Sequence, residues 1–261
     1  MFVRDVISWI IFWSYPKTIH ENARNTTKKM YFVRIYLYHK ALTPFCFSRV
    51  FDDSRERAKM EKPATTDYPI EETVRRRWSP RAFSDRAVEP DKLRRLFEAA
   101  RWAPSSFNEQ PWSFIIATKE NPDEYAQLLS CLIEKNQEWA RLAPVLMVSI
   151  AKLNFEKTGK PNRHAFHDVG MAMASLLVQA TALGLFVHQM AGFSVEKVRE
   201  SFAVPAGFEP VAAVAVGYPA DPEVLPESFR EREVGPRSRK PINEFVFEGK
   251  WGEMSPVVSA R

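Results

Sequence analysis

"RWAPSSFNEQPWSFIIAT", residues 101–118, closes one element and opens another. Before it, "VEPDKLRRLFEAARWAP" has Pro90 near a helix start, Leu93, Leu96, Phe97 and Ala100 at helical spacing, and Pro104 beyond the end. That spacing predicts an amphipathic helix. After it, "WSFIIAT" reads as a buried strand. Between Pro104 and Pro111 stand Ser105, Ser106, Asn108 and Gln110, more hydrogen-bonding side chains than a chain reversal requires. Their donors and acceptors suit the polar edge of a planar heterocycle, and the two prolines restrict the loop so that less entropy is lost on binding. An Asx or Ser/Thr turn joining helix to strand accounts for the same residues.

The alternation continues downstream. "NPDEYAQLLSCLIEKNQEWA" predicts one helix with Asn121 as cap and Pro122 at the first helical position, and "APVLMVSIA" the next strand. Over residues 164–183, Val169, Met173, Leu176, Ala180 and Leu183 form one face and Met171, Ala174, Val178 and Ala182 the opposite one. A helix apolar on both faces is expected to be buried all round, and Gly184 ends it. "LFVHQM" reads as a strand, "SVEKVRESFAV" as a helix capped by Ser194, "EPVAAVAVGYP" as a strand and "INEFVFEG" as a short terminal strand. Strands separated by helices, with no internal repeat or low-complexity tract, indicate a mixed sheet with helical layers.

With 261 residues, 45% of them hydrophobic, the chain can bury a full core, either as one domain with an appendage or as two small domains. The net charge of +5 is unevenly placed, for residues 1–59 hold 11 Lys+Arg and 5 Asp+Glu while residues 60–261 hold 26 and 27. The main part therefore lacks the clustered positive field that a phosphate backbone demands, and no nucleic-acid partner is expected. "VISWIIFW" is an apolar run of eight residues, against the ~20 of a membrane helix, and no Ala-x-Ala-like cleavage site follows it. "MYFVRIYLYH" is interrupted by Arg34, so no membrane partner is expected either. Residues 1–59 are expected to be an N-terminal extension, disordered or outside the native product, with Met60 starting the 60–261 domain. Cys46 and Cys131 lie far apart with no Cys-x-x-Cys, which argues against a disulfide framework or thiolate zinc site and fits a reducing cytoplasm.

Three further groups bear on chemistry. "RRRWSPRAF" puts four arginines within seven positions around Ser79. Such a patch can grip an oxyanion with guanidinium forks, or it can be a solvated helix end. "RSRKP" sets Arg237 and Arg239 on one side of an extended segment, where a solvated tail is the plain alternative. His164, His167 and Asp168 have metal-ligand spacing but no third strong ligand in reach, so a helix-capping Asp with surface imidazoles, and no metal site, is the expectation. The first glycine is Gly159, which removes a Gly-x-Gly-x-x-Gly or Walker loop, and no Gly-x-Ser-x-Gly elbow supports hydrolysis.

Taken in order, "RRRWSPR", "APSSFNEQPWSF", "NQEWARLAPVLM", "HDVGMAMASLLVQATALGL", "HQMAGF" and "GPRSRKP" resemble the FMN-dependent nitroreductase family over residues 70–246. The resemblance implies an α+β fold, a central and mainly antiparallel sheet flanked by helices, in an intertwined homodimer. It implies an NAD(P)H-dependent FMN oxidoreductase that takes hydride from NADPH or NADH and passes two electrons, by a ping-pong route, to a nitroaromatic, quinone or similar small-molecule acceptor. By the same resemblance Arg77, Trp78, Ser79 and Arg81 hold the FMN phosphate and ribityl chain, with Arg81 at the pyrimidine edge. Pro104, Ser105, Ser106, Asn108 and Gln110 reach the cofactor from the other subunit. Asn136 faces the flavin's polar rim, the backbone at Ala191 and Gly192 approaches the reactive ring nitrogen with Gln189 and Met190 also at the cofactor, and Arg237 and Arg239 sit at the phosphate. No side chain is implied as catalytic, since the flavin carries the chemistry and Arg81 gives electrostatic support. Trp139 stands where some members place a Lys, which leaves Arg81 as the main charge stabilising a reduced, anionic flavin.

A second copy under twofold symmetry is also the commonest cover for an all-apolar helix, and "EFVFE" is expected to add an edge strand to it. Two alternatives stand beside the reductase. One is a reductive dehalogenase or flavin-destroying relative of the same fold. The other is a non-catalytic flavin-binding protein tethered by its basic N-terminus.

Overall fold

Trp112–Thr118 (β1), Val145–Lys152 (β2), Phe186–Met190 (β3) and Phe208–Gly217 (β4) form one sheet in the order β1-β2-β4-β3, every neighbouring pair antiparallel. They belong to a computed structural model that describes residues 61–259. The expected extension, residues 1–59, and the expected start at Met60 lie outside the described residues. The helices are Glu72–Arg76 (α1), Pro90–Arg101 (α2), Pro122–Ser130 (α3), Glu134–Ala140 (α4), Ala165–Ala182 (α5), Val195–Ser201 (α6) and Glu227–Val234 (α7). The fold is α+β, as expected.

β2 is central, and its seven residues from Val145 to Ala151 are all buried. A strand's side chains alternate between faces. Leu146, Val148 and Ile150 accordingly enter one core, with Tyr125 and Leu128 of α3, Trp139 of α4, Val198 of α6 and Phe229 of α7. Val145 and Met147 enter the other, with Leu96 and Ala100 of α2 and Ala172, Met173, Leu176 and Ala180 of α5. Helices therefore cover both faces of the sheet. Burying a leucine such as Leu176 is worth about 2–5 kcal/mol, judged by truncation to alanine.

Local chemistry sets most boundaries. Pro90 and Pro122 occupy first-turn positions, where a missing N–H costs nothing. The Ser194 hydroxyl accepts from the Lys197 N–H and caps α6. α5 ends as the sequence indicates, at Gly184 with φ of 73°. The Gly184 N–H donates to the Thr181 carbonyl and the Leu185 N–H to the Ala180 carbonyl, the paired bonds of a left-handed helix stop.

Several expectations are corrected. The single helix expected from Pro122 to Ala140 is two helices, broken at residues 131–133, because backbone groups there pair with a distant segment. The Ile133 N–H donates to the Gly192 carbonyl, the Ser194 N–H to the Cys131 carbonyl, and Leu132 bridges Phe193. Asn121 stands at the cap position of α3 but makes no side-chain capping bond. α5 is not buried all round within one chain, since Phe166, Met171 and Val178 are exposed, and Gly170, Ala174 and Ala182 are exposed beside them. "INEFVFEG" forms no strand ladder. Ile242–Glu244 is a short 3-10 turn, and Phe247 bridges only Met254, in a hairpin turned by the left-handed Gly249 and Gly252. Glycine spacing, not strand propensity, decides that tail.

Candidate functional site

The site begins where α1 stops. Arg77 leaves helical geometry at ψ of 123°, and the chain runs extended past Trp78, Ser79 and Pro80 to Arg81. Beyond it, the Ser84 N–H donates to the Tyr218 carbonyl and the Ala220 N–H to the Ala82 carbonyl, so the segment is fastened along the exit of β4. Two side chains hold it from below. His188, on β3, has Nδ1 2.8 Å from the Pro80 carbonyl oxygen, which makes Nδ1 the protonated nitrogen. The buried Glu233 of α7 accepts the Arg81 and Ala82 N–H groups on Oε1 at 2.9 and 3.0 Å. Burial drives the His188 imidazole down from 6.5 to about 4, the Arg81 and Arg77 charges add to that, and the Pro80 and Ser79 backbone oppose it.

Guanidinium groups crowd above this segment. Arg77, Arg237, Arg239 and Lys240 line a cavity of about 600 Å³ that Thr65, Asp67 and Tyr68 also border. Burial first, and then the like charges of Arg237 and Arg239, pull the Arg77 guanidinium below its ordinary value. Arg77 Nη1 donates to the Ser79 hydroxyl at 3.2 Å. Arg237 is differently employed, with its N–H groups bonded to the carbonyls of Lys62, Arg75 and Arg77. It welds residues 62–77 to the tail, whereas Arg77 and Arg239 remain the donors suited to an anion. Such a donor set matches a phosphate, which binds best to guanidinium forks.

Next to Arg81 lies a tilted aromatic pair whose indole is buried in the core. Trp139 of α4 packs on His188 with ring centroids 4.6 Å apart, and the Arg81 guanidinium stands 5.9 Å over the indole. One turn back, Asn136 Nδ2 donates to the Gly192 carbonyl at 2.9 Å. Gln189 and Ala191 are exposed, while the Met190 and Trp78 side chains are buried in the core. Those two side chains, expected at the cofactor, lie in the core instead. The indole instead packs edge-on against Phe186, with the Lys62 ammonium over its ring.

The proline-flanked loop is built separately. Phe107, Asn108 and Gln110 adopt left-handed backbone at φ of 54°, 55° and 52°, a costly conformation for side-chain-bearing residues. Hydrogen bonds hold it there. The Gln110 N–H donates to the Ser105 hydroxyl, the Glu156 N–H to the Glu109 carboxylate, and the Ser106 N–H to Asp168 Oδ2 at 3.0 Å. Asp168, expected to cap a helix, is thus the loop's anchor, and its other oxygen meets His167. Within one chain the structure brings Arg77, Ser79, Arg81, Asn136, Gly192, Arg237 and Arg239 to the neighbourhood of residues 77–82. The loop of Pro104, Ser105, Ser106, Asn108 and Gln110 instead bonds to Asp168 and Glu156. Among the described residues no group of three or more His, Cys, Asp or Glu is placed to hold a metal ion, and no helix is long and apolar enough to cross a membrane.

Residues 74–218, more than half the chain, match the sequence pattern of the nitroreductase family. The chain belongs to the nitroreductase family. Among the proteins it is similar to, a solved structure described as an oxidoreductase containing FMN is 36% identical, covers 72% of this chain and 96% of its own, and has a TM-score of 0.69. An uncharacterized 15.4 kDa protein of Mycolicibacterium smegmatis is 35% identical over 50% of this chain and 86% of its own. The FMN reductase [NAD(P)H] of Bacillus subtilis is 26% identical over 54% of this chain and 62% of its own. The matched residues include the four strands, residues 77–82, the proline-flanked loop, Asn136 and Gly192, while Arg237 and Arg239 lie beyond them.

His188, Glu233, Asp168 and Lys62 were not legible as site residues. His188 sits inside "HQMAGF", and a histidine amid an apolar strand is the one signal that points to it. Nothing local marks Glu233, which reaches Arg81 across 152 residues of chain.

Proposed function

We propose that this nitroreductase-family protein is an FMN-dependent oxidoreductase that uses NADPH or NADH to reduce a nitroaromatic, quinone or similar small acceptor. The observation that supports it most is the pairing of the Arg77 and Arg239 cations at one cavity with the Asn136–Gly192 contact beside the Arg81–Trp139 cation–ring contact. The first suits a phosphate and the second the rim of a planar ring. FMN, when bound, supplies a ring that accepts and returns a hydride equivalent. Arg77 and Arg239 would hold its phosphate, with Ser79 toward the ribityl chain. Arg81 places a positive charge where negative charge accumulates during reduction, the protein's main electrostatic contribution. His188, packed on the buried Trp139 indole and held neutral near pH 7, adds no competing cation beside Arg81.

The Ser105, Ser106, Asn108 and Gln110 side chains complete this reading from a second copy of the chain. The exposed stripe of Phe166, Gly170, Met171, Ala174 and Val178 on α5 is the surface such a copy would cover. A reducing cytoplasm suits the buried, unpaired Cys131 thiol. Titrating apoprotein with FMN by flavin fluorescence, alongside sedimentation, tests the arrangement. Saturable quenching at one FMN per chain, carried by a dimer, is expected. A stable monomer that binds FMN equally well would overturn the shared site.

A further inference from the structure

Glu233 carries a feature that its loop-holding bonds leave unexplained. Its Oε1 serves the Arg81 and Ala82 N–H groups, but Oε2, equally buried, has no hydrogen-bond partner. The Arg81 guanidinium is 3.9 Å from Oε2, too far for a hydrogen bond and close enough for strong Coulombic contact in a dry surrounding. A buried carboxylate with an unpartnered oxygen is costly. Holding two backbone N–H groups does not require it, because the amide oxygen of a glutamine accepts the same bonds. A glutamine would keep that acceptor, lose the charge and carry an NH2 group in place of Oε2. Lys62, whose ammonium bonds to the Glu233 and Gly235 carbonyls, is a second cation beside it, and the Glu61 and Asp221 carboxylates border the same cavity.

We propose that Glu233 is the positioning residue and counter-charge of Arg81, fixing the backbone at residues 81–82 and setting how much of the guanidinium's positive charge acts on a flavin lying against it. This rests on the FMN reading above. By drawing the guanidinium toward itself, Glu233 weakens the pull of Arg81 on the reduced ring, so it holds the flavin's potential low and keeps the reduced form a strong donor. Removing the charge while keeping the hydrogen bonds should make FMN easier to reduce.

The test is the FMN midpoint potential, measured by dye equilibration in wild type, E233Q, R81Q and the double variant. E233Q should retain FMN and shift the potential upward on the order of tenfold in the oxidised-to-reduced ratio, about 30 mV for a two-electron couple. In the R81Q background the same change at 233 should move it much less, because the effect passes through Arg81. An E233Q potential equal to wild type, or an equal shift with and without Arg81, would overturn the proposal while leaving the FMN reading intact. Wild-type protein that takes up no FMN would overturn both. If E233Q does not fold, the pH dependence of the potential in wild type and R81Q replaces it: a response across the carboxylate range seen only with Arg81 present is expected, and a wild-type response that matches R81Q would overturn the proposal.

Discussion

Asn136 Nδ2 donates to the Gly192 carbonyl oxygen at 2.9 Å, and a Cβ on residue 192 would lie 2.6 Å from that same nitrogen. The contact closes the gap between α4 and the segment after β3, and it leaves no room for a side chain. Ile133 Cδ1 would also lie 2.6 Å from the added carbon. Both obstructing atoms end movable side chains, so Gly192→Ala should fold with a loss of about 1–2 kcal/mol. The Asn136 bond, however, should be displaced. Urea denaturation and FMN titration together check this, with a small stability loss and a clear weakening of FMN binding as the expected pair.

Arg77 and Arg237 lie in the same cavity but should fail differently. Removing a charge-assisted contact costs ~1.5–3 kcal/mol, so Arg77→Ala should weaken FMN binding by roughly 10- to 150-fold. Arg237→Ala removes bonds to the Lys62, Arg75 and Arg77 carbonyls and should lower stability by about 1–3 kcal/mol even in apoprotein. Thermal melting of the two apoproteins separates the roles. Equal melting temperatures would contradict the assignment of Arg237 to structure.

Asp168→Ala should loosen the proline-flanked loop. It leaves the Ser106 N–H without its carboxylate and frees three left-handed residues to relax. Limited proteolysis at residues 105–110 should accelerate, while Asp168→Asn, which keeps an oxygen acceptor, should sit between Ala and wild type. A loop in Asp168→Ala as resistant as wild type would show that the anchor lies elsewhere.

The legible parts of this fold are those that one window of sequence decides. β2 was readable because an apolar run over Val145–Ala151, broken only by Ser149, suits a central strand, and α5 because its spacing and the glycine after it agree. The break between α3 and α4 was not, since it depends on pairing with Gly192 and Ser194 some 60 residues onward. The arginines and the polar loop were legible as binding groups, but their division of labour was not. Arg237 looks like Arg239 in sequence and differs only through the carbonyls it meets. Glu233 and His188 act by reaching under residues 79–82 from α7 and β3, so only the assembled sheet reveals them.

The His188 imidazole titrates at about 4 in the folded protein and at 6.5 as a free side chain. Below 6.5 the unfolded chain gains a proton that the native state refuses until about 4, so this residue's contribution to stability is complete above 6.5 and lost as the pH falls toward 4. Its full extent is about 3 kcal/mol, of which about 2 kcal/mol should disappear between pH 7 and pH 5. Urea denaturation at those two pH values should show a smaller pH dependence in His188→Asn, which keeps a donor for the Pro80 carbonyl, than in wild type. Identical pH dependence would remove His188 as the cause.

The central claim is that the site binds FMN and turns it over, and an anaerobic spectral titration tests it most directly. Purified protein reconstituted with FMN should be yellow, lose its oxidised-flavin absorbance on stoichiometric addition of NADPH or NADH, and regain it when a nitroaromatic or quinone is added. Protein that stays colourless after incubation with FMN, or bound flavin that neither nucleotide bleaches while dithionite does, would contradict the account.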